Sequence, residues 1–181
     1  MTKFNFLGTV AAITLAAGAA FAENPMVGGA AMYEAKNIVE NAVNSADHTT
    51  LVAAVKAAGL VDVLQSAGPF TVFAPVNDAF AALPEGTVET LLKPENKDTL
   101  TKVLTAHVVA GDITAKDIMS NIGADGFYHM QTVSGDALSA KVDGNAVYIF
   151  DESGNAGRVT ISDVNQSNGV IHVVDKVLLP K

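Results

Sequence analysis

An α+β fold, with helices in the first half of the chain and strands in the second, follows from three features of the sequence. Apolar residues recur at helical spacing in several segments between Ile38 and Val109. From Phe127 onward, β-branched and aromatic runs alternate with Gly and Asn. Between the last two of these runs stands Asn168-Gly169, a dipeptide suited to a two-residue hairpin turn because such turns need positive φ. Helices early and strands late argue for segregated layers rather than a doubly wound parallel sheet. With 181 residues there is room for one domain of ordinary size.

The first residues read as a targeting segment. Lys3 is followed by an uncharged stretch, Phe4 to Ala22, ending in the small-x-small triplet Ala20-Phe21-Ala22. This predicts a secretory signal peptide over residues 1–22, cut after Ala22. A transmembrane anchor needs about 20 predominantly apolar residues, and Asn5, Gly8, Thr9, Thr14 and Gly18 dilute this stretch. No cysteine follows the cut to carry a lipid. The expected mature protein is therefore soluble, without a membrane span, and secreted or periplasmic. Residues 23–35, rich in Gly and Ala and without a clear period, read as a flexible lead-in to a domain over 36–181.

Within that domain, Ile38, Val39, Ala42 and Val43 lie at helical spacing. Asp47 and Thr49 offer caps for a helix carrying Leu51, Val52 and Val55 that stops near Gly59, and Leu60–Ser66 adds a further turn or two. Phe70–Ala74, between Pro69 and Pro75, reads as a buried strand. Asn77 is placed to cap the next helix, whose Phe80 and Leu83 face inward, and Phe70, Phe73 and Phe80 are expected core anchors. Thr87–Leu92 is a short helical turn before Pro94, and a longer helix is expected from about Asn96 to Val109. Strands follow at Leu138–Val142, Ala146–Phe150, Arg158–Ser162 and Gly169–Leu179.

Composition narrows the function. The formal net charge is −8, and Arg158 is the single arginine, so the chain is poorly suited to neutralise a nucleic-acid backbone. Without cysteine there is no disulfide, thiolate metal site or catalytic thiol. His48, His107, His129 and His172 are far apart, with no pair at the spacing of a metal-binding helix face. His107 on an apolar helix stripe and His172 between Ile171 and Val173 read as structural histidines bonded to backbone. The segment Asp151–Asn155 resembles the opening of a calcium loop, but Ala156 and Ser162 stand where that loop needs Gly and Glu. A polar hairpin loop explains it better. Nucleophile-elbow, phosphate-loop and zinc-protease motifs are absent, and no cofactor is expected.

Four ordered segments carry a family resemblance: LVAAVKAAGLVDVL at Leu51–Leu64, GPFTVFAPVNDAF at Gly68–Phe80, TLTKVLTAHVVAGDI at Thr99–Ile113 and SNGVIHVVDKVLLP at Ser167–Pro180. Together they resemble the fasciclin (FAS1) domain family. The resemblance implies a β-sandwich or wedge with several helices packed on one side. It implies an exported, non-enzymatic binding module for cell adhesion or matrix contact, with a protein or glycan partner. Where animal adhesion members of the family carry a Tyr-His pair, this chain has Ala106-His107. Where they carry Asp-Ile before the Asn-Gly turn, it has Asp163-Val164, the candidate interaction residues. Phe70, Phe73, Asn77, Phe80, His107, Asn168, Gly169 and His172 are read as structural. A monomer is expected. The alternative function is a periplasmic carrier of a small apolar ligand, which needs an enclosed apolar pocket of a few hundred Å³.

Overall fold

The computed structural model describes residues 24–181; the signal peptide expected over 1–22 lies outside them. The segment expected to be a flexible lead-in is built into the domain instead. Strands β1 (Met26–Val27) and β2 (Ala30–Ala31) pair as a hairpin, and Val27 and Met32 are buried in the core. Burial of two large apolar side chains outweighs the freedom that the Gly-rich composition suggested.

Helices α1 (Ile38–Ala42), α2 (Thr49–Ala58) and α3 (Val61–Gln65) come next. Asn37 caps α1 in a capping box with Glu40, and Gly59 ends α2 in the left-handed conformation. Strand β3 (Phe70–Pro75) leads into α4 (Asn77–Ala81), followed by α5 (Thr87–Leu91) and α6 (Lys97–Thr105). The helix expected to run to Val109 thus stops four residues early. His107 contributes its ring to the last turn, where Nδ1 bonds the Val103 carbonyl at 2.7 Å. Val108–Ala110 then forms strand β4, antiparallel to β3.

Helix α7 (Ala115–Ser120), which periodicity did not reveal, opens with a capping box between Thr114 and Asp117. Strands β5 (Tyr128–Gln131), β6 (Ala137–Asp143), β7 (Ala146–Phe150), β8 (Ala156–Gln166) and β9 (Gly169–Val174) complete the chain. Strand β8 is longer than expected, and β9 stops at Val174 rather than Leu179.

Seven strands form one sheet in the order β4-β3-β9-β8-β7-β6-β5. All neighbours are antiparallel except β3 and β9, which run parallel from Phe70↔Gly169 to Pro75↔Val174. Register shifts in β8 between Val159 and Val164 mark irregularities of the kind that bend a sheet. The edges come together where Val109 bridges Thr132 and the Val133 amide donates to the Val108 carbonyl at 2.8 Å.

Two cores result. Val72, Ala74, Ile171 and Val173 pack against the helices with Leu51, Val55, Phe80 and Leu104. Phe73, Val174, Ile118, Leu138 and Ile149 fill the other side of the sheet. Because β3 and β9 are covered on both faces, they read as continuous apolar runs rather than alternating ones. Phe73 and Phe80 are buried, whereas Phe70 at the start of β3 is only half-buried, a correction to its reading as a full core anchor.

Candidate functional site

Asp163 and Val164 sit at the irregular part of β8. Val164 is fully buried in the core. Asp163 has φ +56°, and its Oδ1 accepts the Ala115 amide at the start of α7 at 2.7 Å. The Asp163 amide donates to Nδ1 of His172 at 3.3 Å, and Nε2 of His172 donates to the Ile113 carbonyl at 2.7 Å. These partners require the neutral imidazole. Burial pushes the His172 pKa down, against smaller opposing effects of the Ile113 carbonyl and the Asp163 and Asp112 charges. The ring stacks on Phe73 at 5.5 Å. Thr71 completes the knot by donating to Gly111 at 2.7 Å and accepting from the Ile113 amide at 2.8 Å. The structure therefore places Asp163 at the anchor of α7, with its carboxylate already engaged.

Asn168 and Gly169 do not form the expected positive-φ turn. Gln166 pairs with Gly169, so the loop residues are Ser167 and Asn168, and Asn168 has no positive φ. Asn168 is instead a buried crosslink. Its Oδ1 accepts the Ile38 amide at 3.1 Å, and its Nδ2 donates to the Leu64 carbonyl at 2.7 Å and the Ser66 carbonyl at 2.9 Å. Gly169 is required by close approach, because a Cβ there would lie 1.9 Å from the Phe70 carbonyl oxygen. A strong local turn signal gave way to these long-range contacts.

Asn77 also serves another helix. It is the first residue of α4, which has Val76 at its N-cap, and its Oδ1 accepts the Thr50 amide of α2 at 3.0 Å. Its Nδ2 donates to the Ala46 carbonyl at 2.8 Å. It supplies the cap expected from Asp47 or Thr49. His107 is buried, and its Nε2 accepts the Leu178 amide at 2.8 Å. Burial lowers its pKa to about 4, opposed by the Val103 carbonyl and the Asp151 charge. Among the described residues, no buried side-chain nitrogen or oxygen lacks a hydrogen-bond partner. The internal polar groups hold the fold, which leaves recognition chemistry to the exterior.

The outer face of β5–β8 carries a set of residues that sequence reasoning did not assemble. His129 is opposite Ser139, which is opposite Phe150; Lys141 is opposite Tyr148, which is opposite Arg158. His129 bonds Ser139 Oγ through Nδ1 at 2.8 Å and Asp125 Oδ2 through Nε2 at 2.7 Å. This string has the composition of a hydrolytic triad, but His129 and Asp125 are more than half exposed, unlike the buried acid that orients a catalytic histidine. The four-residue spacing of Asp125 and His129 was the one signal available in the sequence; Ser139 joins them only through strand register. Phe127 extends the face, 5.6 Å edge-on to Phe150 and 6.2 Å from the His129 ring.

An apolar cavity of about 70 Å³ lies between the helices and the sheet, with Leu51, Val55, Leu64, Val72 and Ile171 among its walls. That is well below the few hundred Å³ expected of a small-molecule pocket.

The family model for the fasciclin domain matches residues 46–180, and the chain belongs to the fasciclin domain family. It is 51% identical over 158 residues to protein sll1483 of Synechocystis, covering 87% of this chain and 81% of that one. It is 32% identical over 199 residues to immunogenic protein MPB70 of Mycobacterium bovis, covering 99% of this chain and 94% of the relative. Transforming growth factor-beta-induced protein ig-h3 of Sus scrofa is 35% identical over 130 residues, covering 72% of this chain but 17% of that larger protein. Among solved structures, a FAS1 domain pair from the insect cell adhesion molecule fasciclin I superposes with a TM-score of 0.71 at 20% identity. That likeness covers 80% of this chain, which spans about half (51%) of the domain-pair chain. No described helix is long and apolar enough to cross a membrane.

Proposed function

We propose that this chain is an exported, non-enzymatic binding module that attaches to a protein or glycan of the cell surface or matrix. The observation that carries the reading is membership of the fasciclin family, supported by the fold shared with domains of an insect cell adhesion molecule. The signal-like segment over residues 1–22 supports export. The carrier reading is the less favoured one, because the cavity of about 70 Å³ is too small for an ordinary ligand pocket.

The test is binding of the labelled mature protein to intact cells and to isolated envelope and matrix material. Saturable retention, competed by unlabelled protein, is the expected result. Retention no greater than that of an unrelated acidic protein removes the proposal. N-terminal sequencing of the exported form should begin at Glu23.

A further inference from the structure

Asn168-Gly169 is the single Asn-Gly pair in the sequence. A glycine after an asparagine leaves its backbone nitrogen open to the asparagine side chain, because no Cβ shields it. The reaction available to such a pair closes a succinimide ring. The Gly169 nitrogen bonds to Cγ of Asn168, the Cγ–Nδ2 bond breaks, and Nδ2 departs as ammonia with the Gly169 amide proton. Solvent water then opens the ring at either carbonyl and leaves aspartate or isoaspartate in place of asparagine. The step needs only water and a backbone free to bring Cγ against the Gly169 nitrogen.

The fold denies that movement. Asn168 is 6% exposed, and its side chain is held by the Ile38 amide and by the Leu64 and Ser66 carbonyls. Its own carbonyl accepts the Phe70 amide at 3.0 Å, which fixes the peptide group between Asn168 and Gly169. Gly169 is paired with Phe70 on one side and Gln166 on the other. Turning the Asn168 side chain onto the next nitrogen breaks its bonds to α1, to α3 and to the residue that ends α3.

The product does not fit the place the amide held. A carboxylate can still accept the Ile38 amide, but it has no hydrogen for the Leu64 and Ser66 carbonyls. It also sets a buried negative charge against two carbonyl oxygens. Isoaspartate adds a methylene to the backbone itself and shifts Gly169 against Phe70, where a Cβ would already lie 1.9 Å from the carbonyl oxygen.

We infer that Asn168-Gly169 is a site of spontaneous deamidation, closed in the folded protein and open in the unfolded one, whose modification bars the chain from refolding. A chain left unfolded thus loses, in one irreversible step, the amide that joins β9 to the helices. The pair records time spent unfolded.

The experiment incubates the mature protein at mildly alkaline pH, in native buffer and in urea beyond the unfolding midpoint. Peptide mapping by mass spectrometry follows the conversion of Asn168, with a synthetic Ser167–Val173 peptide in both buffers as the control. Conversion should run at least about tenfold faster in urea, because reaction from the native state waits for an opening of the core strands. The peptide should react at similar rates in the two buffers. After urea is removed, the refolded fraction should retain the amide and the fraction that fails to refold should be enriched in the acid. Asn168→Asp, made directly, should stay unfolded or lose at least about tenfold in its folding constant at neutral pH. Equal rates for the protein in the two buffers, urea acceleration matched by the peptide, or deamidated chains that regain the wild-type urea midpoint each overturn the inference.

Discussion

Nε2 of His107 accepts the Leu178 amide at 2.8 Å, tying the end of α6 to the final apolar segment of the chain. With Nδ1 donating to the Val103 carbonyl, the ring has one donor and one acceptor in use, so only the neutral form satisfies both partners.

Stability should therefore fall on acidification. His107 titrates near 6.5 when unfolded and at about 4 when folded. Above pH 6.5 both states are neutral and the full stability is present. As pH falls toward 4, the unfolded chain takes up a proton that the folded one refuses, at a cost of about 3 kcal/mol. His48 and His172, also lowered by burial, act in the same direction. Melting temperatures measured between pH 7 and pH 4.5 should drop, with a shallower slope in His107→Gln; a flat profile in the wild type contradicts this account.

Asn168→Ala should cost about 3 kcal/mol or more, because it strands the Ile38 amide and leaves the Leu64 and Ser66 carbonyls short of a partner. Asn168→Gly, harmless in a positive-φ turn, should be equally damaging. Urea denaturation of the two variants separates the crosslink from a turn role.

Gly169→Ala should destabilise by about 3 kcal/mol or more, since its Cβ would collide with the Phe70 carbonyl in the parallel ladder. Gly135→Ala is the comparison: that glycine has φ +93° but open space around it, so only the backbone term remains. Similar losses in the two variants would show that φ, not contact, governs Gly169.

Phe73→Ala should cost about 3–5 kcal/mol, a large share of the roughly 5–15 kcal/mol available to a domain. Phe70→Ala, at a half-buried position, should cost visibly less. Equal shifts in calorimetric melting would contradict the burial difference.

Asn77→Ala should lower stability by about 1 kcal/mol through loss of the α2 cap. Asp47→Ala, whose side chain makes no cap bond, should change it little. The reverse order in thermal melting would restore the local cap.

What the sequence disclosed was set by range. The α+β order, the buried β3 run and the late strands depend on local apolar patterns, and these were readable. Asn77 and Asn168 had the right residue types for local capping and turning, yet their partners lie 27 and 130 residues away, at Thr50 and Ile38. No local rule finds such partners. The lead-in failed for a related reason: Val27 and Met32 are isolated apolar residues whose burial depends on the rest of the domain. The face with Lys141, Tyr148 and Arg158 depends on the register of three strands, which alternation within each strand does not specify.

Strand β9 is the last regular element in chain order among the described residues, yet it lies inside the sheet between β3 and β8. Until residues 169–174 arrive, β3 with β4 and the β5–β8 meander lack the strand that joins them through a continuous ladder. A chain emerging from its N-terminus must therefore wait for residues 169–174 before either core can close. Such late, distant pairing slows folding. Ending the chain before Gly169 would remove the keystone of the sheet and leave its two halves joined through the edge contact of Val108 and Val109 with Thr132 and Val133.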